Sequence, residues 1–228
     1  MDEQVIAAMA RWPDVPAVYG WLSLTETGQW RLHPQGDAIR QPGSPGEEIT
    51  SPQILDFICR NYDADEAGQW YFQNGPQRVY VRLDAAPFIV HTTVDPSSAR
   101  LKLRTHTGLD IQQLHSLHID ETGRLYAATD RAAVLVAGRD LPELLNALES
   151  TPDQNAAGHA DAHDALSHCM ETGQTVWLQS NHVQGFPTDA IAVHFSPSEA
   201  LESLLRFRRI PVPNPGETGH SPVTPGFR

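Results

Sequence analysis

Residues 69–83 read Gln69-Trp70-Tyr71-Phe72-Gln73-Asn74-Gly75-Pro76-Gln77-Arg78-Val79-Tyr80-Val81-Arg82-Leu83. Two runs rich in aromatic and β-branched residues flank Asn74-Gly75, a pair suited to the positive φ of a tight hairpin. Segments 69–73 and 78–83 are therefore expected to pair as antiparallel strands. In the second run Arg78, Tyr80 and Arg82 alternate with Val79, Val81 and Leu83. Successive side chains of a strand point to opposite faces, which puts the polar trio on one face of the sheet. The chain reads from here as α+β, mainly antiparallel sheet with short helices.

Toward the N-terminus, residues 3–11 are expected to form a helix that stops at Trp12-Pro13, because proline disfavours helix in the residue before it. Segments 17–24 and 30–33 read as strands around Glu26-Thr27-Gly28-Gln29. Three prolines and three glycines mark residues 34–48 as a loop. Ser51-Pro52 opens a helix to about residue 62, with Ser51 as cap and Ile54, Leu55, Ile58, Cys59 and Tyr62 on its apolar stripe.

Toward the C-terminus, strands are expected over 88–94, 100–105, 114–119, 126–129 and 133–137. Leu141, Leu144, Leu145 and Leu148 recur at the spacing of an amphipathic helix. After a polar linker at 151–158, a helix over 159–170, strands over 175–179 and 190–195, and a helix after Ser196-Pro197 follow. The last 18 residues hold five prolines and three glycines, a composition that leaves little to pack. Three segments are expected: a main α+β domain over 1–150, a small α/β appendage over 151–210 and a disordered tail over 211–228.

Four turns share one chemistry. Thr27-Gly28-Gln29-Trp30 and Thr122-Gly123-Arg124-Leu125 each follow a glutamate and open a strand; Asp65-Glu66-Ala67-Gly68-Gln69-Trp70 is a third copy, and Glu171-Thr172-Gly173-Gln174 repeats residues 26–29. Extended segments and then an apolar helix follow the first two, the pattern of a duplicated β-β-α unit; independent reuse of an acidic-x-Gly turn is the alternative.

Two stretches carry a resemblance. Arg11-Trp12-Pro13-Asp14-Val15-Pro16-Ala17-Val18-Tyr19-Gly20-Trp21-Leu22 and Tyr71-Phe72-Gln73-Asn74-Gly75-Pro76-Gln77-Arg78-Val79-Tyr80-Val81 resemble a family of proteobacterial proteins without an established function. Tyr80-Val81-Arg82-Leu83-Asp84-Ala85-Ala86-Pro87-Phe88 is similar to a second bacterial family, one of duplicated α+β motifs with a suspected signalling role. That similarity spans residues 28–148 and implies a duplication without assigning a site.

The net charge of −12 and pI of about 5.2 argue against affinity for nucleic acid or anionic membrane, both polyanions. No apolar run reaches the ~18 residues of a membrane span. The start of the chain carries Asp2 and Glu3 and lacks the basic, apolar pattern of a secretion signal, so a cytoplasmic location is expected. Cys59 and Cys169 fall on apolar helix positions, where a thiol acts as a small hydrophobe.

Phosphate-binding glycine loops, H-E-x-x-H, C-x-x-C and the nucleophile elbow are missing from the sequence. On a helix over 159–170, His159 and His163 share a face, while His168 lies about 140° from His163, so three-point metal coordination from this helix alone fails. His115 and His118 fall on opposite faces of their strand. The cation pattern is stronger: Arg78, Tyr80 and Arg82 on one strand and Arg100, Lys102 and Arg104 on another. If both strands share a sheet, these six residues form an anion-binding face. An ordinary solvent face closed by ion pairs is the plainer reading of such a charge run.

The function expected from the sequence is a non-catalytic binding or regulatory protein, with no cofactor, recognising an anionic small molecule or an acidic protein segment. A metal-dependent hydrolase using histidines and loop carboxylates is the alternative. Nucleic acid and membrane are not expected partners, and the sequence does not specify an oligomeric state.

Overall fold

The computed structural model of the chain describes residues 1–151 and 161–213. His159, nearly all of the expected linker and residues 214–228 of the expected tail lie outside the described residues. The described contacts form two compact units: residues 1–25, 29–85 and those from 207 onward, and residues 26–28 with 86–206.

The first unit begins with α1 (Glu3–Arg11), which ends at Trp12 as expected. Asp2, just before the helix, pairs with Arg60 at 3.1 Å. There follow β1 (Val18–Leu24), β2 (Trp30–Leu32), β3 (Glu47–Glu48), α2 (Pro52–Arg60), β4 (Tyr62–Ala64), β5 (Trp70–Asn74) and β6 (Gln77–Leu83). Pro52 opens α2, and Ser51 occupies its N-cap position without making a side-chain capping bond. The sheet order is β3-β2-β1-β6-β5-β4, with β1 and β6 parallel at its centre.

The Phe57 ring of α2 meets Phe72 edge-on, 5.5 Å between centroids, so the helix covers the sheet face that includes Phe72. Neighbours in sequence point the other way, and that opposite face holds Tyr19, Tyr71 and Tyr80 as a buried cluster packed against Ala17 and Ile39. β1 is irregular between Val18 and Leu22, where Gly20 has φ 84°. A Cβ at Gly20 would stand 2.4 Å from the Gly36 carbonyl oxygen, so only glycine lets the 34–46 loop lie this close to the strand.

The segment after residue 206 returns to this sheet. Leu83 N donates to Arg209 O at 2.8 Å, Arg208 N to Gly68 O at 2.9 Å, and Val212 N to Gln69 Oε1 at 2.6 Å. The tail expected to be disordered from 211 is thus hydrogen-bonded at its first residues.

The second unit contains β7 (Phe88–Val94), β8 (Leu101–Thr105), β9 (Leu114–Ile119), β10 (Leu125–Thr129), β11 (Ala133–Val136), α3 (Leu141–Asn146), β12 (Glu149–Ser150), α4 (Ala162–Thr172), β13 (Val176–Gln179), β14 (Ile191–Phe195) and α5 (Leu201–Leu204). Its sheet runs β12-β13-β14-β9-β10-β11-β7-β8. β14 pairs in parallel with β9, so the strands expected in a separate 151–210 appendage are instead part of this sheet. The chain does not divide near residue 150.

The two sheets share a topology. Reading β9, β10, β11, β12, β13 and β14 as first to sixth strands gives the order third-second-first-sixth-fifth-fourth, as for β1 to β6. Each copy pairs its first and sixth strands in parallel, and each inserts a helix, α2 or α3, between its third and fourth strands. The four acidic-x-Gly turns precede β2, β5, β10 and β13, which are the second and fifth strands of the two copies. Their glycines, Gly28, Gly68, Gly123 and Gly173, all have φ between 71° and 84°. The duplication expected from the turns is present and extends from a β-β-α unit to six strands. The second copy adds β7 and β8 beside β11, and α4 before β13. Among the described residues no helix is long and apolar enough to cross a membrane.

Candidate functional site

The expected hairpin forms with Gly75 and Pro76 as its two-residue loop, and its ladder pairs Gln73 with Arg78 and Tyr71 with Tyr80. All four side chains occupy the sheet face opposite α2, and directly paired positions have Cβ atoms about 4.5–5.5 Å apart. Tyr19 of β1 stacks on Tyr80 with centroids 4.6 Å apart and planes within 5°. The Tyr80 hydroxyl donates to Asp65 Oδ2 at 3.0 Å. Burial raises the Tyr80 pKa, and the bond to Asp65 adds to the rise.

Past the tyrosines the face opens into a groove of about 390 Å³. It is lined by Met9 near the end of α1, then Trp12, Pro13, Val15 and Ala17, and by Gln73, Pro76, Arg78 and Tyr80 of the hairpin. Trp12 is 50 % exposed there. Arg78 lies with its guanidinium carbon 4.6 Å from the centre of the Tyr71 ring. It is in no ion pair among the described residues, although the Tyr80 hydroxyl and the Asp65 carboxylate lie near enough to act on it.

Gln73 is 1 % exposed. Its Nε2 donates to Gly75 O at 2.9 Å, while no protein group donates to its Oε1. A carbonyl accepts only, so the bond to Gly75 fixes which end of the amide is nitrogen and leaves the oxygen unpartnered. Buried acceptors are nearly always paired, which makes this atom an exception that calls for a donor.

The six residues expected to form one anion-binding face do not share a sheet. Arg78, Tyr80 and Arg82 are on β6 in the first sheet, whereas Lys102 and Arg104 are on β8 in the second, with Arg100 just before it. Nor is the β6 trio on a solvent face. β6 is a central strand between β1 and β5, and residues 38–44 cross it, leaving Tyr80 at 2 % and Arg82 at 4 % exposure. Arg82 donates from Nη1 to the carbonyls of Ala38 and Pro42 at 3.1 and 2.7 Å and pairs through Nη2 with Asp84 at 3.0 Å. Arg82 is therefore an interior group holding the 38–44 segment and not a free cation of a solvent face.

On β8 the plainer reading of the charges holds. Lys102 pairs with Asp95 at 3.2 Å, Arg104 with Asp110 at 2.8 Å, and Arg100 donates to the Val183 carbonyl at 2.8 Å. Of the six, Arg78 and Tyr80 remain at the groove.

The DUF2944 family model, described as "Protein of unknown function (DUF2946)", matches residues 1–195. The chain belongs to this family. Both stretches read as resembling a family without established function, 11–22 and 71–81, lie inside the match, and residues from both line the groove. No curated protein matches the chain. Among solved structures it is similar to a DUF1285 family protein from Silicibacter pomeroyi DSS-3, with 16% identity over 82% of this chain and 84% of that one and a TM-score of 0.44. It is also similar to a DUF1285 family protein from Shewanella baltica OS155, with 11% identity over 58% of this chain and 92% of that one and a TM-score of 0.38.

One further arrangement of family-independent interest has no local sequence signature. Ser23 Oγ lies 2.8 Å from His33 Nε2, and His33 Nδ1 lies 3.5 Å from Asp37 Oδ1, the residue order of an acyl-transfer triad. Ser23 and His33 are both wholly buried, at 0 % exposure, and neither lines the groove, so among the described residues nothing leads a substrate to the hydroxyl. Burial, and then the charge of Arg82, lower the His33 pKa and favour a neutral ring. The array serves to satisfy polar groups beneath the 34–46 loop. Among the described residues no three His, Cys, Asp or Glu side chains come together as a metal site. His163 is exposed and His168 bonds to Gln174 at 3.3 Å.

Proposed function

We propose that the protein is a non-catalytic binding protein that recognises an anionic small molecule in the groove between residues 9–17 and the β5–β6 hairpin. The observation that carries this is Arg78: a guanidinium lining a 390 Å³ groove, in no ion pair among the described residues, in a chain of net charge −12. The volume falls within the range of small-molecule sites, and apolar walls with a few placed polar groups are their usual lining. Arginine suits the role because its planar fork holds a carboxylate or phosphate through two parallel hydrogen bonds. The overall negative charge opposes nucleic acid and anionic membrane as partners. Cys59 and Cys169 are both free, which fits a reducing, cytoplasmic compartment.

The reading is tested by calorimetric titration of the full chain with inorganic phosphate, adenosine monophosphate and a series of N-acetyl amino acids. At least one of these anions is expected to bind saturably. Arg78→Ala should weaken that binding at least tenfold, since hydrogen bonds to a charged group are worth about 1.5–3 kcal/mol. The same change loses the cation–π contact with Tyr71, about 0.5–1 kcal/mol, and the interaction with the Tyr80 hydroxyl, but no ion pair, so the variant is expected to stay folded. No binding, or binding indifferent to Arg78, would overturn the proposal.

A further inference from the structure

Resting on that reading, we infer that the groove selects N-acylated amino acids: its ligand presents an amide N–H to Gln73 Oε1 and a carboxylate to Arg78. Three observations converge on this class. Gln73 and Arg78 are a direct cross-strand pair, so an acceptor and a cation stand side by side on one wall. The acceptor is 1 % exposed, lines the groove and receives no hydrogen bond from the protein. The side chains of Met9, Trp12, Pro13 and Val15 line the same groove and offer apolar contacts.

The chemistry follows from what each group requires. Arg78 supplies donors only, and the free oxygen of Gln73 accepts only. A ligand with two acceptor groups would meet Arg78 and leave Gln73 unsatisfied. A ligand with a cationic amine would satisfy Gln73 but bring a positive charge beside Arg78. A neutral N–H next to an anion suits both, and in an N-acyl amino acid the N–H and the carboxylate are carried by the same carbon. Directly paired strand positions bring two such neighbouring groups within reach of one ligand. The acyl group and an apolar side chain then lie against Trp12 and the prolines, where a flat indole gives a large contact at little conformational cost.

The test compares N-acetyl-L-phenylalanine with its ester analogue, 2-acetoxy-3-phenylpropanoate, which keeps the shape and charge but replaces N–H by oxygen. A site that hydrogen-bonds a donor rejects the analogue lacking it, because the buried acceptor is then left unpaired. The wild-type chain is expected to bind the amide at least tenfold more tightly than the ester. Gln73→Met should erase that preference by weakening the amide while leaving the ester unchanged. Should this variant fail to fold, the wild-type comparison still decides. Equal, Arg78-dependent binding of amide and ester would overturn the N–H assignment while sustaining an anion site. Arg78-dependent binding of phosphate or adenosine monophosphate without either phenylalanine derivative would overturn the ligand class alone. Failure of every anion to bind would overturn both readings.

Discussion

Replacing Arg82 with alanine is expected to destabilise the folded chain by about 2–4 kcal/mol, because the buried carbonyls it serves lose their donor, while its ion-pair partner Asp84 is exposed. The guanidinium is 4 % exposed and acts as a clamp on the 38–44 segment. It bonds to the Ala38 and Pro42 carbonyls, with longer contacts of 3.4 Å to the carbonyls of Gln41 and Ser44, and it pairs with Asp84. Alanine would leave these carbonyls without their donor and open a cavity between the segment and β6. Each buried acceptor so orphaned costs about 1–3 kcal/mol unless water enters. Lysine should recover part of the loss, since a single ammonium can serve only some of these acceptors. Urea unfolding of the wild type, Arg82→Ala and Arg82→Lys checks the order. A change below about 0.5 kcal/mol for alanine, typical of surface sites, would contradict the clamp.

Acidification is expected to cost a further large share of stability, beginning above the range in which ordinary carboxylates titrate. His118 is 7 % exposed, lies 2.9 Å from the hydroxyls of both Ser116 and Ser196, and has its ring centroid 5.5 Å from that of His194. Burial, and then the neighbouring His194, push its pKa down to about 4. The folded value lies below the unfolded value of about 6.5, so the unfolded chain takes up the proton first. Its contribution is fully present above about pH 6.5 and is lost as the pH falls toward 4, amounting to about 2–3 kcal/mol between pH 7.5 and 4.5. His33, whose pKa is also lowered, acts in the same direction. Asp95 acts in a different window: its carboxylate is held well below the usual range, first by the Ser97 backbone N–H and then by the Ser97 hydroxyl, Gln184 and Lys102. Its contribution is lost only below about pH 3.8. Unfolding free energies at pH 7.5 and 4.5 for the wild type and His118→Gln separate these effects. The variant should have the shallower pH dependence; an unchanged slope would contradict the assignment to His118.

Much of the fold is legible in local sequence. The hairpin signal at Asn74-Gly75, whose loop closes one residue later at Gly75-Pro76, the proline after Trp12 and the leucines at 141, 144, 145 and 148 each act through neighbours a few residues away. The elements they predict are present within a few residues of the expected bounds. The repeated glycine turns were also readable, because each needs the same left-handed φ before a strand. What local pattern does not carry is which strands become neighbours. Strict alternation in 78–83 looks like a solvent face, but the parallel pairing of β6 with β1 makes the strand central, and a segment some 40 residues earlier covers it. Arg82 was therefore legible as a cation and illegible as a clamp. The pairing of β14 with β9 likewise joins residues more than 70 apart and removes the expected boundary near residue 150.

The site shows the same division. Arg78 and Tyr80 were found through alternation, which is a property of one strand. Gln73 was passed over, although it stands in the quoted hairpin, because an unpartnered oxygen is a fact about surroundings and leaves no trace in residue spacing. Trp12 was read as the end of a helix, and its place on the groove wall depends on how α1 packs. The Ser23, His33 and Asp37 array brings together residues that no short motif links, and its burial settles its role.

The most direct test of the anion site is a nuclear magnetic resonance titration of the nitrogen-15-labelled full chain with N-acetyl-L-phenylalanine and, in a second series, inorganic phosphate. The Arg78 Nε–H and the Trp12 indole N–H, from two separate lining segments, both report on the groove. The account predicts that at least one series moves the Arg78 resonance to saturation, with Trp12 following the phenylalanine derivative, while the indole of Trp177 in the other unit stays in place. Arg78 and Trp12 unmoved in both series, or changes confined to the unit of Trp177, would contradict it.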